Sequence, residues 1–359
     1  MFPVNRSFAL SINIFLAYLF CALYLLLGNM SFLILYFILG GVNFLLLYSE
    51  KFTLKWVVFF LSLSGLFIFE FIFFSSYPKQ NAYLLSLLFF ISSLGFALNL
   101  VYNLNRVFVS KVLLIIYLVF LSFVFFKYGI FLADGLNTVF FNSSRNIVSA
   151  VLILLFINYL LCCYFDGVKT SPYFYFVVFL FSVFLYGRSG IIFSFFLLLY
   201  YLFFLNRFIF SIVLIFGTMF FLLYNYNVNA LWEATSFSQG LESARTDMRR
   251  EYFSGILANI KFILLGQNYY DCCYTIVAHD LNAHNSFISG HAKFGIIHTL
   301  LVLILIFWIF LSRNFYIIFL FLLIMIRYFY DELGLFNLYD TTLYLLVVIS
   351  FLMRRKQRV

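Results

Sequence analysis

The chain has 359 residues, of which 65% are hydrophobic and only 10% are charged, whereas an ordinary soluble domain is about 25% charged. A water-soluble fold of this length could not cover so much apolar surface, so the composition excludes a soluble globular protein. The formal net charge of +9 comes from basic residues scattered singly between apolar blocks. Without a continuous basic patch, we expect no nucleic-acid partner.

The apolar residues form separate blocks, each about long enough to cross a ~30 Å hydrocarbon core. Helices are expected, because a membrane β-barrel would show short alternating segments instead. The predicted fold is an all-α polytopic membrane protein, one transmembrane domain over residues 1–359 with roughly twelve helices. The predicted spans cover residues 8–27, 31–48, 54–74, 82–101, 107–126, 147–164, 172–186, 191–205, 208–224, 294–311, 315–326 and 343–353.

The basic residues predict the orientation of these spans. Arg6 precedes a long apolar run without a small-residue cleavage site, which predicts an uncleaved first span. If both termini are cytoplasmic, twelve Lys and Arg residues lie on the cytoplasmic side and six lie in the short connections outside. The cytoplasmic connections are too short for a soluble domain. Any chemistry is therefore expected on the far side of the membrane.

One far-side loop, residues 225–293 between the ninth and tenth predicted helices, is much longer than a connection requires. Function concentrates in loops of this kind. Part of it has apolar residues at helical spacing with charged residues between them, which predicts an amphipathic helix at the membrane surface. These apolar residues are Met248, Tyr252, Phe253, Ile256, Leu257, Ile260 and Leu264.

All four histidines, His279, His284, His291 and His298, fall within twenty residues at the end of this loop and the start of the next span. Histidine exchanges protons near neutral pH, so the cluster indicates general-base chemistry. The alternative is that these histidines only lie at the membrane interface and have no catalytic role. His291 and His298 would share one helix face, where a packing role is expected. His284 is therefore the predicted base.

A metal site is not expected. The pair Cys272 and Cys273 could join His279, His284 and His291 around zinc, but two adjacent cysteines rarely fit one tetrahedral ion. The cysteines have no C-x-x-C spacing, so neither a zinc site nor a disulfide framework is indicated. We therefore predict no cofactor.

Five arginines form a second group of candidates, Arg145 and Arg188 at outer ends of spans and Arg245, Arg249 and Arg250 in the large loop. The planar guanidinium grips phosphate oxygens in pairs, which suits a lipid diphosphate, although anchoring of lipid headgroups is the alternative. An idle charge at Arg188, between two apolar spans, would be costly. Arg245 and Arg249 would share a helix face, and one of the three loop arginines is expected to be structural.

Three short windows and the layout of the spans carry a likeness to a known group. In HNSFISGHAKFG, nine residues separate the pair His284 and Asn285 from Gly295, and YGRSG opens a span with Arg188. RREYFSGILANIKFILLGQN starts at Arg249 and ends in Leu-Leu-Gly, with Gln and Asn where a second glycine is usual. These windows resemble the bacterial O-antigen polymerase (Wzy) and O-antigen ligase (WaaL) families.

NSSRNIVSA around Arg145 looks loosely like the group's Asn-containing entry to a span. The resemblance implies a GT-C-like, metal-independent membrane glycosyltransferase that uses undecaprenyl diphosphate-linked oligosaccharides at the periplasmic face of the bacterial inner membrane. It implies that His284 takes a proton from the acceptor sugar while arginines stabilise the departing lipid diphosphate. Asn285, His291 and Asp331 are predicted to support the site, and Asp331 with its neighbour Glu332 could instead be a hydrated pair.

Three functions are compatible with this interpretation. An O-antigen polymerase joining lipid-linked repeat units is preferred, because members of that family are often rich in Phe and Leu, and a chain-length regulator of the Wzz type would be its partner. The nearest alternative is an O-antigen ligase that transfers glycan to lipid A core. A lipid-linked oligosaccharide flippase is a third hypothesis, but it would need less outer loop and more charge within its helices.

Overall fold

The computed structural model describes residues 3–47, 65, 81–129, 133–141, 144–205 and 244–357, and these residues form helices and connections only. Two predicted spans lie outside the described residues, namely 54–74 apart from residue 65 and the whole of 208–224, as do residues 225–243 of the large loop. The helices are α1 Pro3–Leu27, α2 Met30–Leu47, α3 Asn81–Tyr102, α4 Arg106–Tyr128, α5 Arg145–Asp166, α6 Pro172–Phe184, α7 Arg188–Leu205, α8 Ala244–Leu257, α9 Ile260–Leu265, α10 Tyr269–Cys272, α11 Tyr274–Ala278, α12 Ser286–Phe310, α13 Phe315–Tyr330 and α14 Thr341–Gln357, with a 3-10 helix at Ala133–Thr138.

Six helical segments of the described chain are long and apolar enough to cross a membrane, which makes this a multi-pass membrane protein. They are Arg6–Leu27, Met30–Leu47, Ala82–Tyr102, Arg106–Tyr128, Arg145–Asp166 and Ser286–Phe310. Shorter apolar helices lie at four more predicted spans, namely Pro172–Phe184, Arg188–Phe204, Phe315–Tyr330 and Thr341–Arg354. The figure of twelve spans stays a prediction.

The chain divides into two compact units. The first contains α1 up to Tyr24, α2, α3, the start of α4 up to Val109, and α8 to α14. The second contains Leu25–Gly28, the rest of α4, the 3-10 helix and α5 to α7.

In the first unit, α2 and α3 approach closely through small residues. A Cβ atom added at Gly95 would lie 2.4 Å from the backbone oxygen of Gly40, so only glycine fits there. Beside this contact, the buried Asn99 side chain donates hydrogen bonds to Asn43 at 2.5 Å and to the Leu10 carbonyl at 3.0 Å. Small residues and buried polar pairs replace the hydrophobic effect in holding membrane helices together.

The segment from α8 to α11 differs from the predicted amphipathic helix. The predicted helix is interrupted, because α8 ends at Leu257 and Asn259 caps a separate helix α9, accepting a hydrogen bond from the Lys261 backbone N–H. The apolar residues of α8 differ in their exposure: Met248 is fully buried in the protein, whereas Leu257 is 74% exposed. The amphipathic pattern is therefore present over two short helices.

The helix α12 begins at Ser286, eight residues before the predicted start of its span, and bends at Gly295, where φ is 53° and ψ is −142°. The bend lets the backbone of α9 pack against it: a Cβ atom at Gly295 would lie 2.1 Å from the Leu264 carbonyl oxygen. One turn away, a Cβ atom at Gly266 would lie 2.4 Å from the His291 carbonyl oxygen. These contacts fix the described part of the large loop to the first turns of α12.

Candidate functional site

His284 lies in the turn immediately before α12. Its φ of 46° is left-handed, and its backbone N–H donates to the Asn282 side chain at 2.8 Å. The next residue, Asn285, is buried and caps α12, accepting hydrogen bonds from the N–H groups of Phe287 and Ile288 at 2.9 and 3.1 Å. Asn285 thus fixes the backbone next to the half-buried imidazole of His284.

Four charged or titratable groups act on the imidazole of His284, and together with it we call them the His284 site: Arg245, His279, Asp331 and Glu332. Burial is the main cause that lowers the pKa of His284, and the Arg245 guanidinium lowers it further. The carboxylates of Asp331 and Glu332 oppose this by raising the pKa. The net direction is downward, so the imidazole is neutral at neutral pH and can accept a proton.

Asp331 lies between two arginines. It forms an ion pair with Arg327, one turn earlier on α13, at 3.1 Å, and both side chains are almost fully buried. Its other oxygen accepts from the Arg245 guanidinium at 3.3 Å, and Arg245 also donates to the Tyr330 carbonyl at 2.7 Å. Arg245 thus joins the start of α8 to the end of α13.

The three arginines of α8 have different surroundings. Arg249 shares the face of Arg245, and its guanidinium lies 5.1 Å from the ring centre of Phe329, at the end of α13. Its hydrogen bond to Thr246 is long, at 3.4 Å. Arg250 has a side chain that is 78% exposed and forms a surface pair with Asp247 at 3.8 Å. Only Arg249 and Arg245 therefore face the end of α13.

The segment after α13 is fixed to the start of α12. The Ser286 hydroxyl donates to the Asp331 carbonyl at 2.9 Å and accepts from the N–H groups of Leu333 and Gly334 at 2.9 and 3.0 Å. Two turns further along α12, Lys293 forms an ion pair with Glu332 at 3.5 Å. The segment that carries Asp331 and Glu332 is therefore bound to Ser286, the first residue of α12, which follows His284 by two positions in the chain.

Asp340, which the sequence did not mark as a functional residue, is the second anchor of this segment. Its fully buried carboxylate accepts hydrogen bonds from the N–H groups of Leu335, Phe336 and Asn337 at 2.9, 2.5 and 2.7 Å. It also accepts from the Tyr328 hydroxyl at 3.0 Å. An aspartate that precedes a helix was the available signal, since such residues often bind nearby backbone N–H groups.

The other three histidines occupy different environments. His291 is bound at both ring nitrogens, to the Tyr252 hydroxyl at 2.7 Å and to the Ile263 carbonyl at 3.0 Å, which fixes α12 against α8 and α9. His298 is fully buried within α12. The exposed His279 binds the Thr275 carbonyl at 2.8 Å, and its ring centre lies 6.4 Å from that of His284. Only His279 therefore shares the His284 site.

A disulfide joins the neighbouring residues Cys272 and Cys273, where the sequence indicated none. Cys273 is buried, and Cys272 packs beside Gly255 of α8. Among the residues that the structure describes, no group of three His, Cys, Asp or Glu side chains is placed to hold a metal ion.

Arg145 and Arg188 belong to the second unit, where they are the first residues of α5 and α7. The two helices start side by side: a Cβ atom at Gly190 would lie 1.8 Å from the Ser149 hydroxyl. The structure thus places both arginines at one end of the second unit.

Comparison of the chain with known proteins found no matching family model, no similar curated protein and no similar solved structure.

Proposed function

We propose that this chain is an O-antigen polymerase of the bacterial inner membrane, which joins undecaprenyl diphosphate-linked oligosaccharide repeat units at the periplasmic face. The observation that carries the proposal is the environment of His284. His284, the first histidine of the HNSFISGHAKFG window, is half-buried and has a lowered pKa, and it lies beside the arginine-bearing face of α8. These are the properties that a general base next to an anionic leaving group requires.

In the proposed reaction, neutral His284 takes the proton from an acceptor sugar hydroxyl as that oxygen forms a bond to the donor sugar's anomeric carbon. The bond between this carbon and the lipid diphosphate breaks, and the electron pair leaves with the diphosphate. Arg249 stabilises the charge that develops on it, because a guanidinium fork matches phosphate oxygens. The imidazolium then releases its proton to water.

The charges around His284 suit this cycle. Arg245 and burial keep the imidazole neutral before reaction, whereas Asp331 and Glu332 stabilise the imidazolium after it has taken the proton. In the second unit, Arg145 and Arg188 at the starts of α5 and α7 add positive charge to helix N-termini, which favour anions. Their binding to diphosphate is proposed from the sequence windows.

The test gives the purified protein one lipid-linked repeat unit as both donor and acceptor, and separates the products by size. A ladder of polymers supports the polymerase. Transfer to lipid A core without a ladder would assign the ligase, which differs in its acceptor. Movement of the lipid-linked unit across vesicles without any new glycosidic bond would overturn both enzymes in favour of the flippase.

A further inference from the structure

Residues 331–340, between α13 and α14, bring two carboxylates to the His284 site but have no regular secondary structure. Leu335 and Phe336 have φ values of 62° and 82°, in the left-handed region that residues other than glycine rarely adopt. Such backbone persists only where surrounding contacts specify it. The contacts that specify this segment therefore also determine where Asp331 and Glu332 lie.

Arg327 and Arg245 bind the Asp331 carboxylate and Lys293 binds that of Glu332, whereas two side chains bind the backbone N–H groups of residues 333–337. The Ser286 hydroxyl binds the first half of the segment, through the Asp331 carbonyl and the N–H groups of Leu333 and Gly334. The Asp340 carboxylate binds the second half, including the two left-handed residues. A bound carboxylate that accepts three backbone N–H groups is a stronger anchor than a hydroxyl, because charge-assisted hydrogen bonds are about twice as strong as neutral ones.

We propose that Asp340 is a positioning residue of the His284 site, which fixes residues 333–337 and thereby holds the carboxylates of Asp331 and Glu332 beside the imidazole. This role rests on the proposed function, in which His284 is the base. Asp340 itself contacts its own segment and Tyr328 and is fully buried, so it acts through the two carboxylates.

The electrostatic consequence has a definite sign. His284 is faced by Arg245 from α8, by His279 from the turn after α11, and by Asp331 and Glu332 from the segment after α13. Only the two carboxylates raise its pKa. If Asp340 no longer binds the backbone of residues 335–337, and the carboxylates of Asp331 and Glu332 move away from the imidazole, the pKa of His284 falls further below its ordinary value. Loss of folded protein would not shift the pKa of the molecules that remain folded.

The experiment measures the rate at which diethyl pyrocarbonate modifies His284, by mass spectrometry of the peptide that contains it, as a function of pH. The reagent reacts with neutral imidazole, so the midpoint of the rate reports the pKa of His284. Burial raises the pKa of Asp340 to about 6, so Asp340 and His284 are protonated over overlapping pH ranges. The label is read on the His284 peptide alone and therefore reports the protonation of His284 and not that of Asp340. The label needs no turnover, so it is informative even if the chain makes no polysaccharide.

Asp340→Asn in the full-length protein should lower this midpoint by a few tenths of a pH unit or more, and should increase amide exchange in residues 333–337. Ser286→Ala, which weakens the other anchor, should shift the midpoint in the same direction and decides the question if Asp340→Asn does not fold. Asp271→Asn, at an exposed position of α10, is the matched control and should leave the midpoint unchanged. An unchanged midpoint in folded Asp340→Asn or Ser286→Ala protein with increased amide exchange would overturn the positioning role.

Discussion

The guanidinium of Arg245, at the start of α8, donates a hydrogen bond at 3.3 Å to the carboxylate of Asp331, which follows α13. Eighty-six residues separate the two in sequence. The contact ties helix α8 to the segment that carries the two carboxylates of the His284 site. It also places opposite charges around one imidazole, and each charge has a measurable effect.

The first prediction concerns the pH dependence of activity. Glu332→Gln removes a charge that raises the pKa of His284, so the acidic limb of the pH–rate profile should move to lower pH. Arg245→Gln removes a charge that lowers this pKa, so the limb should move to higher pH. Shifts of the same sign in both variants, measured as initial rates of glycan transfer, would contradict the electrostatic assignment.

The second prediction separates two neighbouring arginines. Arg249→Lys retains the charge but loses the planar fork, so it should reduce kcat/KM for the lipid-linked donor about tenfold or more. Arg250→Lys is the matched control, because Arg250 lies in solvent beside Asp247, and it should change kcat/KM less than about twofold. Equal losses in the two variants would remove Arg249 from the proposed diphosphate site.

The third prediction concerns Arg188 in the second unit. The sequence marks it because an idle charge between two apolar helices is costly. Arg188→Lys should strongly reduce transfer if the guanidinium fork binds diphosphate. Full activity of this variant, at normal protein level in the membrane, would leave Arg188 with a role in topology alone.

Much of this architecture could be predicted from sequence, because an apolar block of sufficient length specifies a helix by itself. The apolar helices of the described chain lie close to the predicted ones. The bend of α12 could not be predicted, since it depends on the Leu264 backbone meeting Gly295 across the fold. The break between α8 and α9 was missed because Asn259, which caps α9, lies inside an otherwise helical apolar pattern.

The candidate site divides in the same way. The sequence could single out His284 from its chemistry and its local window, but it could not choose among Arg245, Arg249 and Arg250. The partnership of Arg245 with Asp331 could not be predicted, because no local pattern relates residues so far apart in the chain. Asp340 was missed for a related reason: its importance comes from backbone N–H groups that turn toward it only in the folded segment.

The fourth prediction tests the bend in α12. Gly295→Ala adds a Cβ atom 2.1 Å from the Leu264 carbonyl, at a φ of 53°, and should lower the free energy of unfolding by about 2–3 kcal/mol. Gly41→Ala in α2 is the control, since a Cβ atom there meets nothing within 4 Å and alanine favours helix. Thermal denaturation in detergent compares the two. Equal stability of both variants would show that the bend tolerates a side chain.

The central claim is that His284 is the base that deprotonates the acceptor sugar. The direct measurement compares wild-type protein with His284→Ala and His279→Ala, each purified and supplied with one lipid-linked repeat unit. We expect His284→Ala to lower the rate of polymer formation about 10²- to 10⁴-fold, as loss of a general base does, while His279→Ala retains a ladder. A ladder of wild-type length and rate from His284→Ala would contradict the claim.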